Sequence, residues 1–150
     1  MPELPEVEIV RQGLQQYIAG KQIMAIKSDW PKSLPVSDKE IKNHIVGATI
    51  QFVDRRAKVL LINLNNGYTL MCHLKMTGQL VYIGKAEGRS SNTKVDRFGA
   101  GHPNDSLIAK LPDRSTRVII TFTDDSHLYF NDQRKFGWIK LEKTEGIDDR

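Results

Sequence analysis

One cysteine in 150 residues, Cys72, excludes an internal disulfide and a cysteine-rich metal site. It makes a reducing, intracellular setting, cytoplasm or nucleoid, the expected one. Long apolar runs are also missing: none approaches the roughly 20 residues that span a bilayer, so no membrane is expected as a partner. The N-terminus has no basic stretch leading into an apolar one and does not read as a secretory signal. No internal repeat and no linker divides the sequence. Residues 1–150 therefore read as one domain, long enough to bury a core without covalent staples, and a monomer is expected.

The chain carries 22 Lys and Arg against 18 Asp and Glu, a net charge of +4. Such a balance suits a nucleic-acid partner, because clustered cations release counterions from phosphate. Charge of this size also occurs in proteins that never touch DNA, so it does not decide the matter.

Hydrophobic spacing gives the elements. Val7, Val10, Leu14 and Tyr17 recur at helical intervals, predicting a helix from about Pro5 to Tyr17 that Gly20 ends. A short strand follows near residues 23–27. Ser37-Asp38-Lys39-Glu40 reads as a capping box opening a second short helix through Ile41 and Ile45. The period then falls to two. Strands are predicted at 48–54, 57–64, 68–75, 79–83, 117–123, 127–131 and 137–142, with turns at Asn65-Asn66-Gly67 and Asp124-Asp125-Ser126. The expected fold class is α+β, mainly β: a two-layer sandwich or barrel-like domain flanked by the two helices. Residues 84–115, rich in glycine and in charges of both signs, read as one long loop, of the kind that is usually functional or disordered.

The N-terminus, Met1-Pro2-Glu3-Leu4-Pro5-Glu6-Val7-Glu8, admits two readings. Proline and acids in a first turn are ordinary helix-start chemistry. Alternatively, removal of Met1 leaves Pro2 as a free secondary amine crowded by three carboxylates. Such an amine can attack a sugar C1′ and form an iminium, an electron sink for breaking neighbouring bonds. An α-amino group titrates near 7.7–8.0, so a neutral fraction exists at physiological pH. Glu3 and Glu6 are close enough in sequence to move protons or to stabilise a developing sugar cation. If Met1 stays, Pro2 is an amide nitrogen and cannot attack.

The first eight residues resemble the opening of the formamidopyrimidine-DNA glycosylases. The related endonuclease VIII enzymes share the Pro-Glu start but usually carry glycine where this chain has Leu4. Arg55-Arg56-Ala57-Lys58 is similar to the family's active-site lysine motif. His73-Leu74-Lys75-Met76-Thr77-Gly78 is similar to its His-Leu-x-Met-Ser/Thr-Gly turn, and Asn131-Asp132-Gln133-Arg134-Lys135-Phe136-Gly137 to its Asp-x-Arg-Arg/Lys-Phe-Gly loop. Four matches in order over residues 1–142 are specific where any one alone is not.

The resemblance implies a bifunctional glycosylase and abasic-site lyase, acting in base-excision repair on oxidised purines in damaged double-stranded DNA without a metal in the chemistry. It implies catalytic roles for Pro2, Glu3, Glu6 and Lys58. It implies DNA contacts by His73 and by Met76, Arg134 and Phe136, the trio that enters the duplex when the damaged nucleotide is flipped out. Two alternatives stand beside it: an endonuclease VIII-like enzyme for oxidised pyrimidines, and a non-catalytic fragment that binds DNA weakly. Ordinary core packing competes with the wedge role for Met76 and Phe136, and a solvated strand end with the active-site role for Lys58. His44, His102 and His127 read as surface or packing residues and Cys72 as a core residue. Arg97-Phe98-Gly99 echoes the wedge loop but receives no role. The likeness covers only the first half of full-length members. Their helix–two-turn–helix and four-cysteine zinc finger have no counterpart in these residues, so no zinc is expected in this chain and DNA affinity is expected to be reduced.

Overall fold

The computed structural model describes residues 2–84 and 96–147. Met1, and with it the question of its removal, lies outside the described residues, as does the centre of the 84–115 segment.

Two antiparallel sheets face each other. Their strands are β1 (Ile23–Ser28), β2 (Ile50–Arg56), β3 (Val59–Leu64), β4 (Tyr68–His73), β5 (Gly78–Ile83), β6 (Arg97–Gly101), β7 (Thr116–Phe122), β8 (His127–Asp132) and β9 (Trp138–Lys143). One sheet runs β1-β7-β8-β5-β6 and the other β2-β3-β4-β9. Alternation places Leu60, Ile62, Leu70 and Cys72 from one sheet against Val118, Ile120, Leu128 and Phe130 from the other, all buried in one cluster. This is the expected sandwich. Burial pushes the Cys72 thiol far above its ordinary range, which keeps it a neutral core group.

Helix α1 (Leu4–Ile18) buries Val7, Val10, Leu14 and Ile18 along one stripe. It lies against β2 and β6, one edge strand from each sheet, and so closes that side of the sandwich. The capping box forms as expected: the Ser37 hydroxyl accepts from the Glu40 amide, and the Glu40 carboxylate accepts from the Ser37 amide. It opens the short α2 (Asp38–Glu40), which widens into a π-helical turn over Ile41–Ile45.

The structure corrects the long-loop expectation. Residues 97–101 form β6, paired with β5, and Asp105–Leu107 forms a 3-10 turn. Two glycines and a flanking polar stretch hide the alternation, leaving Phe98 as the one large apolar side chain. Phe98 stacks on Tyr17 of α1 at 5.7 Å, so the strand is stabilised from the helix side. A terminal turn α3 (Thr144–Ile147) was also not anticipated.

The helix can approach β6 because residue 13 has no side chain: a Cβ there would stand 2.0 Å from Phe98 Cζ. Gly13→Ala should therefore destabilise the fold by about 1–3 kcal/mol, although alanine is the better helix former. In a Phe98→Ala background the sign should reverse, with a gain of up to ~1 kcal/mol. Denaturant titration of the four-member cycle measures both; equal losses in the two backgrounds would refute the packing account.

Candidate functional site

The strand registers bring the sequence motifs to one end of the sandwich. Arg56 pairs with Val59, Val59 with His73 and His73 with Trp138, forming a single row across the second sheet. The first sheet presents Gly78 opposite Asp132 at the same end. Two crossovers between the sheets leave from here, β4 to β5 through residues 74–77 and β8 to β9 through residues 133–137. The β2–β3 turn reaches this end as well.

Pro2 is buried just ahead of α1, while Glu3 is exposed and serves as the residue before the helix, its carbonyl accepting from the Val7 amide at 3.0 Å. Lys58 lies in the β2–β3 turn, after Ala57 in a left-handed conformation (φ 52°), rather than inside a strand beginning at 57. Its Nζ lies 3.2 Å from Glu3 Oε2. Both groups are partly exposed, so the pair contributes little to stability. Its interest is placement, because it sets a cation and a carboxylate beside Pro2. Glu6 sits on the exposed side of the first turn, and among the described residues no hydrogen bond or ion pair joins it to this pair.

Three residues without an assigned role hold the helix start in place. Glu8 accepts from both Arg11 Nε and Nη2 at 2.8 Å, and from Arg55 Nε of β2 at 2.8 Å. The Arg11 bonds first, and then the Arg55 bond, lower the Glu8 carboxyl from 4.5 to about 2. The i, i+3 spacing of Glu8 and Arg11 was visible in the sequence; the reach to Arg55 was not.

His73 is half-buried. Its Nδ1 accepts from the Lys75 amide at 3.0 Å, which leaves the proton on Nε2. Burial, then the charges of Lys75 and Lys58, lower its pKa below the ordinary value, so at neutral pH it is an uncharged N–H donor. Its ring meets Trp138 at 5.6 Å.

The two crossovers are tied by one carboxylate. Asp132 is fully buried; Thr77 Oγ1 donates to its Oδ1 at 2.5 Å and the Gly137 amide donates to its Oδ2 at 2.6 Å. The Thr77 hydroxyl in turn accepts from the Arg134 amide at 3.1 Å. Residue 137 must be glycine for this approach, since a Cβ would lie 2.8 Å from the His73 carbonyl and 2.7 Å from Phe130 Cζ. The tie brings together the loops that bear Met76, 40% exposed, and Arg134 and Phe136, the latter 53% exposed. The Arg134 guanidinium lies over the Phe136 ring at 5.0 Å. Lys75 and Lys135 adopt left-handed backbones (φ 55° and 61°), and Lys135 rests on Trp30 at 4.4 Å. The methionine, arginine and phenylalanine thus stand exposed on braced turns, outside the core.

The remaining histidines pack or cap. His44 stacks on Tyr68 at 4.1 Å, His127 on Tyr129 at 5.7 Å, and the His102 carbonyl accepts from Gln79. Among the described residues no three His, Cys, Asp or Glu side chains gather into a metal-binding group. Among the described residues no helix is long and apolar enough to cross a membrane.

Asp132→Ala should cost about 3 kcal/mol and Thr77→Val about 1–2 kcal/mol, because each leaves buried groups unpaired. The double variant should cost clearly less than the sum; strict additivity would show that the crossovers are not joined through this pair. Glu8 gives a pH signature. Its folded pKa is depressed, so its stabilising contribution is complete above about pH 4.5 and is lost as pH falls toward about 2. The Tm difference between the native chain and Glu8→Gln should shrink across that window, whereas a constant difference would contradict it.

Comparison with known proteins agrees with this arrangement. The family model for the formamidopyrimidine-DNA glycosylase N-terminal domain matches residues 1–139. The formamidopyrimidine-DNA glycosylase of Pelotomaculum thermopropionicum is 39% identical over 149 residues, covering 99% of this chain and 46% of its own. That of Lactiplantibacillus plantarum is 35% identical over 144 residues, covering 96% and 44%. Among solved structures, Lactococcus lactis Fpg with DNA containing an abasic site superposes with a TM-score of 0.75 at 26% identity, covering 98% of this chain and 45% of that one. The same protein with N7-benzyl-Fapy-dG DNA gives 0.76 at 26% identity, covering 99% and 46%. The chain thus spans about half the length of the relatives it matches. It belongs to the formamidopyrimidine-DNA glycosylase family, over the part that corresponds to the family's N-terminal domain.

Proposed function

We propose that this chain supplies the catalytic half of a base-excision repair enzyme, a bifunctional glycosylase and abasic-site lyase that removes oxidised purines such as 8-oxoguanine and formamidopyrimidines from duplex DNA. The observation that carries the reading is the meeting of a buried Pro2, the Glu3–Lys58 pair and the Met76–Arg134–Phe136 loops at one end of the sandwich.

The steps follow from the groups present. The neutral Pro2 nitrogen attacks C1′; the C1′–base bond breaks and the base leaves with a proton. Glu3 assists base loss and opening of the sugar, and Glu6 takes part in proton transfer from the solvent side. The resulting iminium acidifies C2′. Loss of a C2′ proton expels the 3′ phosphate, and a second elimination expels the 5′ phosphate. Lys58 and the uncharged Nε2–H of His73 bind phosphates beside the lesion, Lys58 as a compact cation. Met76 and Phe136 fill the stack left by the flipped nucleotide, and Arg134 bonds the orphaned base.

Borohydride trapping on an abasic-site duplex tests this. Protein with a confirmed free Pro2 should form a covalent adduct on a denaturing gel, and protein retaining Met1 should form none. Absence of an adduct from the free amine would overturn the lyase reading and leave a folded fragment that binds DNA weakly. Glu3→Gln should slow excision from an 8-oxoguanine duplex by about 10²–10⁴-fold. Faster excision of oxidised pyrimidines than of 8-oxoguanine by the native chain would overturn the purine assignment in favour of an endonuclease VIII-like specificity.

A further inference from the structure

The outer face of β9 carries a feature that the catalytic reading does not use. Trp138, Lys140 and Glu142 share this face, because Ile139 between them is buried inward. Lys140 is exposed, and its ammonium lies over a neighbouring aromatic ring. It leans back along the strand and lies 4.2 Å from the centroid of the Trp138 ring. Trp138 in turn meets His73 at 5.6 Å, and His73 lies in the field of Lys58 and Lys75. The ammonium is therefore held one ring's width from the candidate phosphate contacts. The cations and aromatics form one tract, Lys58–His73–Trp138–Lys140, crossing the sheet from the β2–β3 turn to its far edge strand.

We propose that Trp138 and Lys140 extend the DNA-binding surface: Lys140 contacts a backbone phosphate of the strand that passes His73, and the Trp138 ring aims it. The proposal rests on the DNA-repair reading of the site. Continuity argues for it, since a phosphodiester chain leaving Lys58 and His73 along this row meets Lys140 next. Charge argues for it too, because a lysine stands at each end of the tract, Lys58 at the β2–β3 turn and Lys140 on β9. A strand β9 serving only as a solvated edge would not need its lysine folded back over an indole. The contact is to phosphate and so carries no base preference.

Salt-dependent binding of the full chain to a duplex with a central stable abasic-site analogue provides the test. Lys140→Gln should weaken binding about fivefold near 0.1 M salt and reduce the slope of log K against log salt by about 0.9, the loss of one neutralised phosphate. The loss should be the same on lesion-free duplex. Trp138→Leu should weaken binding about two- to fivefold, and combining it with Lys140→Gln should add little, because the ring acts through the ammonium. Lys143→Gln, at the opposite end of β9, should leave the slope unchanged. An unchanged slope in Lys140→Gln, or equal changes in Lys140→Gln and Lys143→Gln, would overturn the proposal while the catalytic reading stands on its trapping result. Failure of the native chain to bind the duplex at any salt would overturn both.

Discussion

A single buried carboxylate holds the working end of this domain together. Asp132 ends β8, and its two oxygens accept from the crossover that follows β4 and from the crossover that follows its own strand. Each bond satisfies a donor that would otherwise be buried without a partner, so the loops cannot separate without a desolvation cost. The exposed side chains Met76, Arg134 and Phe136 depend on that tie. Large apolar groups turned toward water are unfavourable as packing, and they persist on backbones that are themselves constrained, with Lys75 and Lys135 in left-handed conformations.

The Glu3–Lys58 pair of the candidate site is braced by a separate set of charges. Glu8, with Arg11 and Arg55, fastens the first turns of α1 to β2, the strand that leads into Lys58. The Glu3–Lys58 pair is thereby set by a more strongly bonded pair behind it. The weaker pair leaves its carboxylate largely open to solvent. Strength lies one layer back from the candidate site, and the more open pair lies at it.

Much of this was legible in the chain. The helical stripe of α1, the capping box at Ser37, the period-two runs and the asparagine-glycine and aspartate turns all follow from local rules, and the structure realises them. The motif residues were recognisable because four short patterns occur in one order. What escaped was non-local. Strand β6 has two glycines, and its Phe98 packs on Tyr17 of the distant helix α1, so no periodicity marks it. Lys58 was read as a strand start because the turn before it uses alanine in a conformation alanine rarely takes. Asp132, Thr77 and Gly137 lay inside quoted motifs, but their bonds join residues 55 positions apart, as between Thr77 and Asp132. The Trp138–His73 contact depends on β4 pairing with β9, which sequence spacing alone does not specify.

The loops that bear Met76, Arg134 and Phe136 are also the routes by which the chain passes from one sheet to the other. The gap each must bridge is the thickness of the sandwich, about 10 Å, and that thickness is set by the side chains between the sheets. The interior therefore acts as a ruler for the two loops: Leu70, Leu80 and Phe130, buried between the sheets, fix how far apart the loop bases stand. A core repacked to equal stability but different thickness would remain folded and hold Met76 at a different span from Arg134 and Phe136.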